Sequence, residues 1–126
     1  EHAGVIAKFF LQAKENKDIT IYGDGQQRRN FSMVLDVVKG TLLGAVKKEA
    51  IGEIINIASE KEYTVKEIAE NIIKITNSKS KIVFLDPLKG DPMRNKADVS
   101  KANNILEFKA DYTLQKGLEY INKKLF

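Results

Sequence analysis

The sequence predicts an α/β fold in which short strands alternate with four or five helices. Three observations carry that prediction. Apolar residues recur at helical spacing in four separate stretches, short strand-like runs lie between them, and Thr64 with Glu67 forms a capping-box pair at one helix start.

The elements follow in order. Val5, Ile6, Phe9 and Ala13 share one face of a first helix. Ile19–Tyr22 and Arg29–Val34 read as strands on either side of a Gly-Asp-Gly turn. Val34, Val37, Val38, Thr41, Leu42, Ala45 and Val46 keep the i, i+3, i+4, i+7 spacing of a second helix. Lys47–Gly52 is a solvated turn into the run Ile54–Ala58. Val65, Ile68, Ala69, Ile72 and Ile73 define a third helix, capped by Thr64 and Glu67. Lys81–Leu85 is the fourth strand. Both it and Ile54–Ala58 are continuous apolar runs, which suits strands covered on both faces of a parallel sheet. Pro87–Pro92 is an irregular loop, and a short helix containing Ile105 and Leu106 follows Asp98 or Ser100. Leu114, Leu118, Ile121 and Leu125 align on the last helix, with Thr113 as its N-cap. No repeat or linker divides the chain, so residues 1–126 are expected to form one unit.

Bulk properties exclude several classes. With 126 residues, 43% hydrophobic and 30% charged, the composition is that of a globular domain and not of a disordered or collagen-like chain. The longest apolar runs are far too short to span a bilayer, so no membrane partner is expected, and residues 1–15 lack the apolar core of a signal peptide. The absence of cysteine excludes disulfides and cysteine-ligated metals, with a cytoplasmic location as the default. The net charge of +4 suits an anionic ligand, a nucleic acid or neither. Basic residues are scattered apart from Arg28-Arg29 and Lys123-Lys124, so no nucleic-acid surface is expected. The sequence opens Glu1-His2 without a methionine and enters a helix almost at once, which reads as the tail of something longer.

Two segments have the chemistry of a site. In Ile21-Tyr22-Gly23-Asp24-Gly25-Gln26-Gln27-Arg28-Arg29, glycines let a ligand approach the main chain, and an arginine fork suits phosphate. The same residues also read as a tight turn followed by two surface arginines. In Asp86-Pro87-Leu88-Lys89-Gly90-Asp91-Pro92-Met93-Arg94, Asp91 suits sugar hydroxyls while Lys89 or Arg94 suits phosphate. The plain alternative is an exposed connection whose Asp98 caps a helix.

Taken together, these segments resemble the extended short-chain dehydrogenase/reductases, specifically the C-terminal part of NAD-dependent nucleotide-sugar epimerases and dehydratases of the UDP-glucose 4-epimerase type. The family pattern I-Y-G-D-G-x-Q-x-R-D-F-x-x-V-x-D-V-V is met from Ile21 through Gly25 and at Gln27, Arg29, Phe31, Val34 and Asp36-Val37-Val38. Asn56-Ile57-Ala58-Ser59 is similar to Y-N-I-G-S-G, and Thr64-Val65-Lys66-Glu67 to a capped S-V-x-E helix. Gly90-Asp91 and Ala97-Asp98-Val99-Ser100-Lys101-Ala102 resemble P-R-P-G-D…A-D-I-S-K-A, and Ala3–Phe9 resembles A-G-V-I-P-K-F.

The resemblance implies that Tyr22 and Val5 border a uracil pocket, that Arg29 holds the diphosphate, and that Asp91 binds the ribose. Three positions depart from the pattern. Leu88 stands where the family has a second diphosphate-binding arginine, leaving Lys89 as a substitute point charge; Asn30 replaces an aspartate, and Met33 a tyrosine. The resemblance also implies NAD in the parent enzyme, and this chain shows neither a G-x-x-G-x-x-G turn nor a central Tyr-x-x-x-Lys pair. Tyr112-Thr113-Leu114-Gln115-Lys116 meets the latter spacing but belongs to the final helix, and the only histidine, His2, sits at the chain end. No catalytic, cofactor-binding or metal-binding residue is therefore expected. The expected function is binding of a UDP-sugar or related nucleotide sugar as part of an NAD-dependent epimerase, without turnover by this chain alone. The expected partners are a separate NAD-binding portion and further copies of this chain. The alternative is an interaction module that keeps the fold and binds no nucleotide sugar.

Overall fold

The structure, a computed structural model, describes residues 4–125. The expectation for His2 lies outside the described residues.

The first helix, α1 (Val5–Lys14), buries Phe9, Phe10 and Ala13. Strand β1 (Ile19–Tyr22) alternates, turning Ile19 and Ile21 inward while Tyr22 faces out. It pairs in parallel with β4 (Ile82–Leu85), Ile19 opposite Ile82 and Tyr22 opposite Leu85. A second sheet has β2 (Arg28–Asn30) at its centre. On one side β3 (Glu62–Thr64) runs antiparallel, with Tyr63 opposite Arg29; on the other β5 (Arg94–Asn95) runs parallel, with Asn95 opposite Arg29.

The chain passes directly from β3 into α3 (Val65–Thr76). The Thr64 hydroxyl accepts from the Glu67 backbone at 3.0 Å, and the Thr64 backbone donates to the Glu67 carboxylate at 2.7 Å. This is the reciprocal pairing expected from the sequence. The helix stops at Asn77, whose φ of 51° is left-handed. The last helix, α5 (Leu114–Leu125), starts with Lys116 donating its backbone N–H to the Thr113 hydroxyl at 3.3 Å, as the expected N-cap requires. Helices α1, α3 and α5 close over β1, and Phe9, Phe10, Ile19, Ile21, Ile68, Ile72 and Leu118 form the main core. A smaller core gathers Ala102, Leu106 and Phe108 around α4 (Ser100–Leu106), with Ile55 and Ile57 packed on it.

Helix α2 (Val34–Val46) follows the expected period, but its apolar face points to solvent. Val34 is 63% exposed, Leu42 61% and Val46 75%, whereas Asp36 and Gly40 are buried. The reason lies in those two residues, one turn apart. The Asp36 carboxylate accepts from the backbone N–H of Asp111 at 2.9 Å and of Tyr112 at 3.1 Å. At Gly40 the missing side chain admits Ile57, whose Cγ2 lies 2.5 Å from where a Cβ would stand.

Other strands also differ from expectation. The second is shorter, ending at Asn30 and leaving Phe31–Met33 as a link into α2. The run Ile54–Ala58 joins no ladder among the described residues, and Ile54 is 89% exposed. β4 does pair in parallel, yet Val83, Phe84 and Leu85 remain exposed, so it is not covered on both faces. β3 and β5, of three and two residues, carry no periodic signal that marks them in the sequence.

The cap at α3 generates a prediction. The Thr64 backbone N–H, followed by its hydroxyl, holds the Glu67 carboxyl below the usual glutamate range. A depressed folded value means that the stabilisation is present above the unfolded value and is lost as pH falls through the folded one. Thr64→Ala should cost about 1 kcal/mol in urea melts at neutral pH. In melts at stepped pH, Glu67→Gln should flatten the acid limb of the stability curve.

Candidate functional site

The site is built where the two sheets meet. β1 ends at Tyr22, and Gly23 and Gly25 turn the chain with φ of 74° and 75°. The turn is held locally by the Gln26 backbone donating to the Asp24 carboxylate at 2.9 Å. It is also anchored to its neighbours, because Gly23 donates to the Leu85 carbonyl and Lys66 donates to the Gly25 carbonyl. A Cβ on Gly25 would lie 3.1 Å from that of Lys66 and 3.2 Å from the Phe84 ring, so this position needs glycine for space as well as for φ. The buried Gln27 side chain donates back to the Tyr22 carbonyl at 2.8 Å, closing the crossover from β1 to β2.

Beyond the crossover, β2 is tied down by side chains. Asn30 donates to the carbonyls of Ser59 at 2.9 Å and Lys61 at 3.4 Å, and accepts from the Ala97 backbone at 2.8 Å. Arg94 of β5 reaches across to Glu62 of β3 with a forked contact, at 2.9 Å from Nε and 2.6 Å from the terminal nitrogen. The hydrogen bond from Arg94, more than its charge, holds the Glu62 carboxyl below its usual range.

These constraints frame a cavity of about 560 Å³. All five residues singled out in the sequence, Val5, Tyr22, Arg29, Lys89 and Asp91, line it. The Arg29 guanidinium donates to the Arg28 carbonyl at 2.8 Å and to the Asp91 carboxylate at 2.6 Å. Two of its five N–H groups are used there, so three keep donor capacity beyond these contacts. Asp91 likewise keeps acceptor capacity beyond this contact. A half-exposed pair of this kind contributes only about 0–1 kcal/mol of stability, so its main effect is to hold the two groups in register.

Arg94, an alternative phosphate ligand in the sequence, is taken up by Glu62 and does not line the cavity. Leu88 does line it and is 54% exposed, an apolar patch beside Lys89. Asn30 and Met33 lie away from it: Asn30 ties strands together, while Met33 borders a separate small apolar slot with Tyr112, Leu114 and Gly117. Tyr112 packs edge-on against Tyr120, with ring centres 6.5 Å apart, and with Lys116 it stands outside the larger cavity. Lys8 was missed. Its ammonium lies 5.2 Å from the centre of the Tyr22 ring, and helical spacing from Val5 is the signal that places both on one face of α1.

The dinucleotide question has a geometric answer within the described residues. A pyrophosphate cradle needs a glycine-rich turn between a strand and the N-terminus of a helix. Here the glycine turn after β1 leads into β2, so these residues do not fit NAD. Among the described residues no cluster of histidine and carboxylates suits a metal, and no helix is long and apolar enough to cross a membrane.

Comparison with known proteins agrees with this reading of the fold. Residues 1–58 match the model of the NAD dependent epimerase/dehydratase family. The chain is 37% identical over 124 residues to a UDP-N-acetyl-alpha-D-glucosaminuronate decarboxylase of Bacillus cytotoxicus, covering 94% of this chain and 38% of that one. It superposes on the UDP-glucose 4-epimerase of Thermotoga maritima solved with UDP-glucose, with a TM-score of 0.89 and 30% identity over 100% of this chain and 41% of that one. The UDP-glucuronic acid 4-epimerase of Bacillus cereus, solved with UDP-glucuronic acid and NAD, gives 0.86 and 32% over 95% and 40%. The chain thus spans about two fifths of the length of each of these relatives. Over that span, the chain is similar to members of the NAD-dependent epimerase/dehydratase family, whose model its residues 1–58 match.

Proposed function

We propose that this chain is the nucleotide-sugar-binding portion of an NAD-dependent sugar-nucleotide epimerase, with a UDP-sugar as ligand. The observation that carries this reading is the convergence of Tyr22, Arg29, Lys89 and Asp91 on one cavity, from positions up to 69 residues apart in the chain. Each group has a distinct task. The Tyr22 ring offers a face to the uracil base, with Val5 alongside. The Arg29 fork and the Lys89 ammonium meet the diphosphate. Asp91 accepts from the ribose hydroxyls while its contact with Arg29 keeps the two ends of the site in step.

The relatives named above are epimerases and a decarboxylase, and two were solved with UDP-sugars. NAD, the other requirement of such an enzyme, is assigned to a separate portion of the parent protein. That portion would cover the solvent-facing side of α2 and the unpaired run Ile54–Ala58. Without it, this chain is assigned binding without turnover, and α2 is assigned a role in self-association.

A second reading, a module that keeps the fold and takes no nucleotide sugar, is favoured by Leu88 and by the Arg29–Asp91 pair already satisfied within the protein. Calorimetry separates the two. UDP should bind the wild-type chain, and Arg29→Ala should weaken it by roughly 10- to 100-fold, as expected for loss of a charge-assisted contact. Absence of UDP binding to the wild-type chain supports the second reading. Separately, light scattering should show the wild-type chain associating with increasing concentration. The double change Leu42→Glu and Val46→Glu, one turn apart on α2, should return it to a monomer without altering UDP affinity.

A further inference from the structure

Lys8 has no place in the site as the sequence describes it, yet it lines the same cavity. It stands three residues beyond Val5 on α1, half-buried, with its ammonium 5.2 Å from the centre of the Tyr22 ring. Among the described residues no carboxylate pairs with it, and its recorded contact is that ring face. The charged groups lining the cavity are three cations, Lys8, Arg29 and Lys89, against one carboxylate, Asp91. Asp91 is already engaged by Arg29 at 2.6 Å, so the charges of Lys8 and Lys89 are left uncompensated. Two uncompensated cations around a cavity of this size suit a ligand with two or more negative charges close together.

The location of Lys8 adds a second element. The Tyr22 ring that it covers is also the ring assigned to the base, so a base stacked on the same face competes with the ammonium. A lysine carries its charge on a flexible four-carbon stem, and a partly hydrated cation over a ring is held more weakly than one donating to a phosphate oxygen. Leu88 meanwhile stands where the family resemblance places a second arginine on the diphosphate.

We propose that Lys8 is a phosphate-binding residue of this cavity, its ammonium leaving the Tyr22 ring for the diphosphate as the base takes that ring's face. The inference rests on the nucleotide-sugar reading above. It adds a contact from helix α1 to those assigned to Arg29 and Lys89.

The test uses the full chain and two probes, UDP and uridine, titrated calorimetrically into wild type, Lys8→Met and Lys8→Arg. Methionine keeps the apolar stem and removes the charge. Lys8→Met should weaken UDP by about tenfold or more, the effect of losing one charge-assisted phosphate contact. It should leave uridine, which lacks phosphate, within about twofold, and Lys8→Arg should retain UDP binding. A coincident thermal melt checks that the variant remains folded. UDP binding indifferent to Lys8→Met overturns the inference alone. Equal weakening of UDP and uridine also overturns it, because Lys8 would then act on the base side. Failure of the wild-type chain to bind either probe overturns the nucleotide-sugar reading, and this inference with it.

Discussion

One side chain holds the architecture in register. The carboxamide of Asn30 meets the main chain at Ser59, Lys61 and Ala97, three points on two segments that flank β2 from opposite sides. β2 is only three residues long, and neither the three-residue β3 nor the two-residue β5 would be stable beside it through ladder hydrogen bonds alone. An amide can serve this position because it both donates and accepts. An aspartate there would still accept from Ala97 but would set a carboxylate against the Ser59 carbonyl. The departure from the family pattern at Asn30 is therefore answered within this chain's own backbone. Arg29, one residue earlier, inherits its position from the same clamp.

The helices were legible because burial and period coincide in most of them. In α3 the capping pair and the buried stripe Val65, Ile68, Ala69 and Ile72 agree, and sequence and structure give the same element. In α2 they diverge: the period marked a helix correctly, but the apolar face is not the face turned inward. Period identifies that a helix has a distinct apolar side and says nothing of what covers it. The inward side is instead selected by a carboxylate with two backbone donors to satisfy and by a glycine that lets Ile57 close in. The run Ile54–Ala58 shows the same limit for strands. Its composition suits a strand, but a strand exists only where a neighbour supplies hydrogen bonds, and composition does not carry the neighbour.

The candidate site was legible in its charged groups and less so in its frame. Arginine, aspartate and a glycine turn announce themselves by residue type, and Val5, Tyr22, Arg29, Lys89 and Asp91 do line one cavity. Arg94 shows why residue type is not enough, since a guanidinium near a phosphate-like segment is equally suited to a carboxylate, and Glu62 claims it. The positions of Gln27 and Lys8 are not legible from residue type, for opposite reasons. One turns inward to its own turn's carbonyl, and the other lies on a helix whose periodic signal comes from its apolar residues.

The contact between Arg29 and Asp91 joins residues 62 positions apart, and it has a bearing on how the chain acquires its cavity. Bringing such ends together costs about 3–4 kcal/mol of loop-closure entropy before any contact across the gap repays it. The parallel pairing of β2 with β5 makes a comparable demand, so the wall that Lys89 and Asp91 supply cannot form from local contacts. Helix α1 and the crossover at Gly23–Gly25 can take shape during synthesis, but the opposite wall arrives only when the segment through Asn95 has emerged. A nascent chain shorter than that presents Tyr22 and Arg29 as unconnected surface groups. The cavity is therefore complete only once the segment carrying Lys89 and Asp91 has joined the rest.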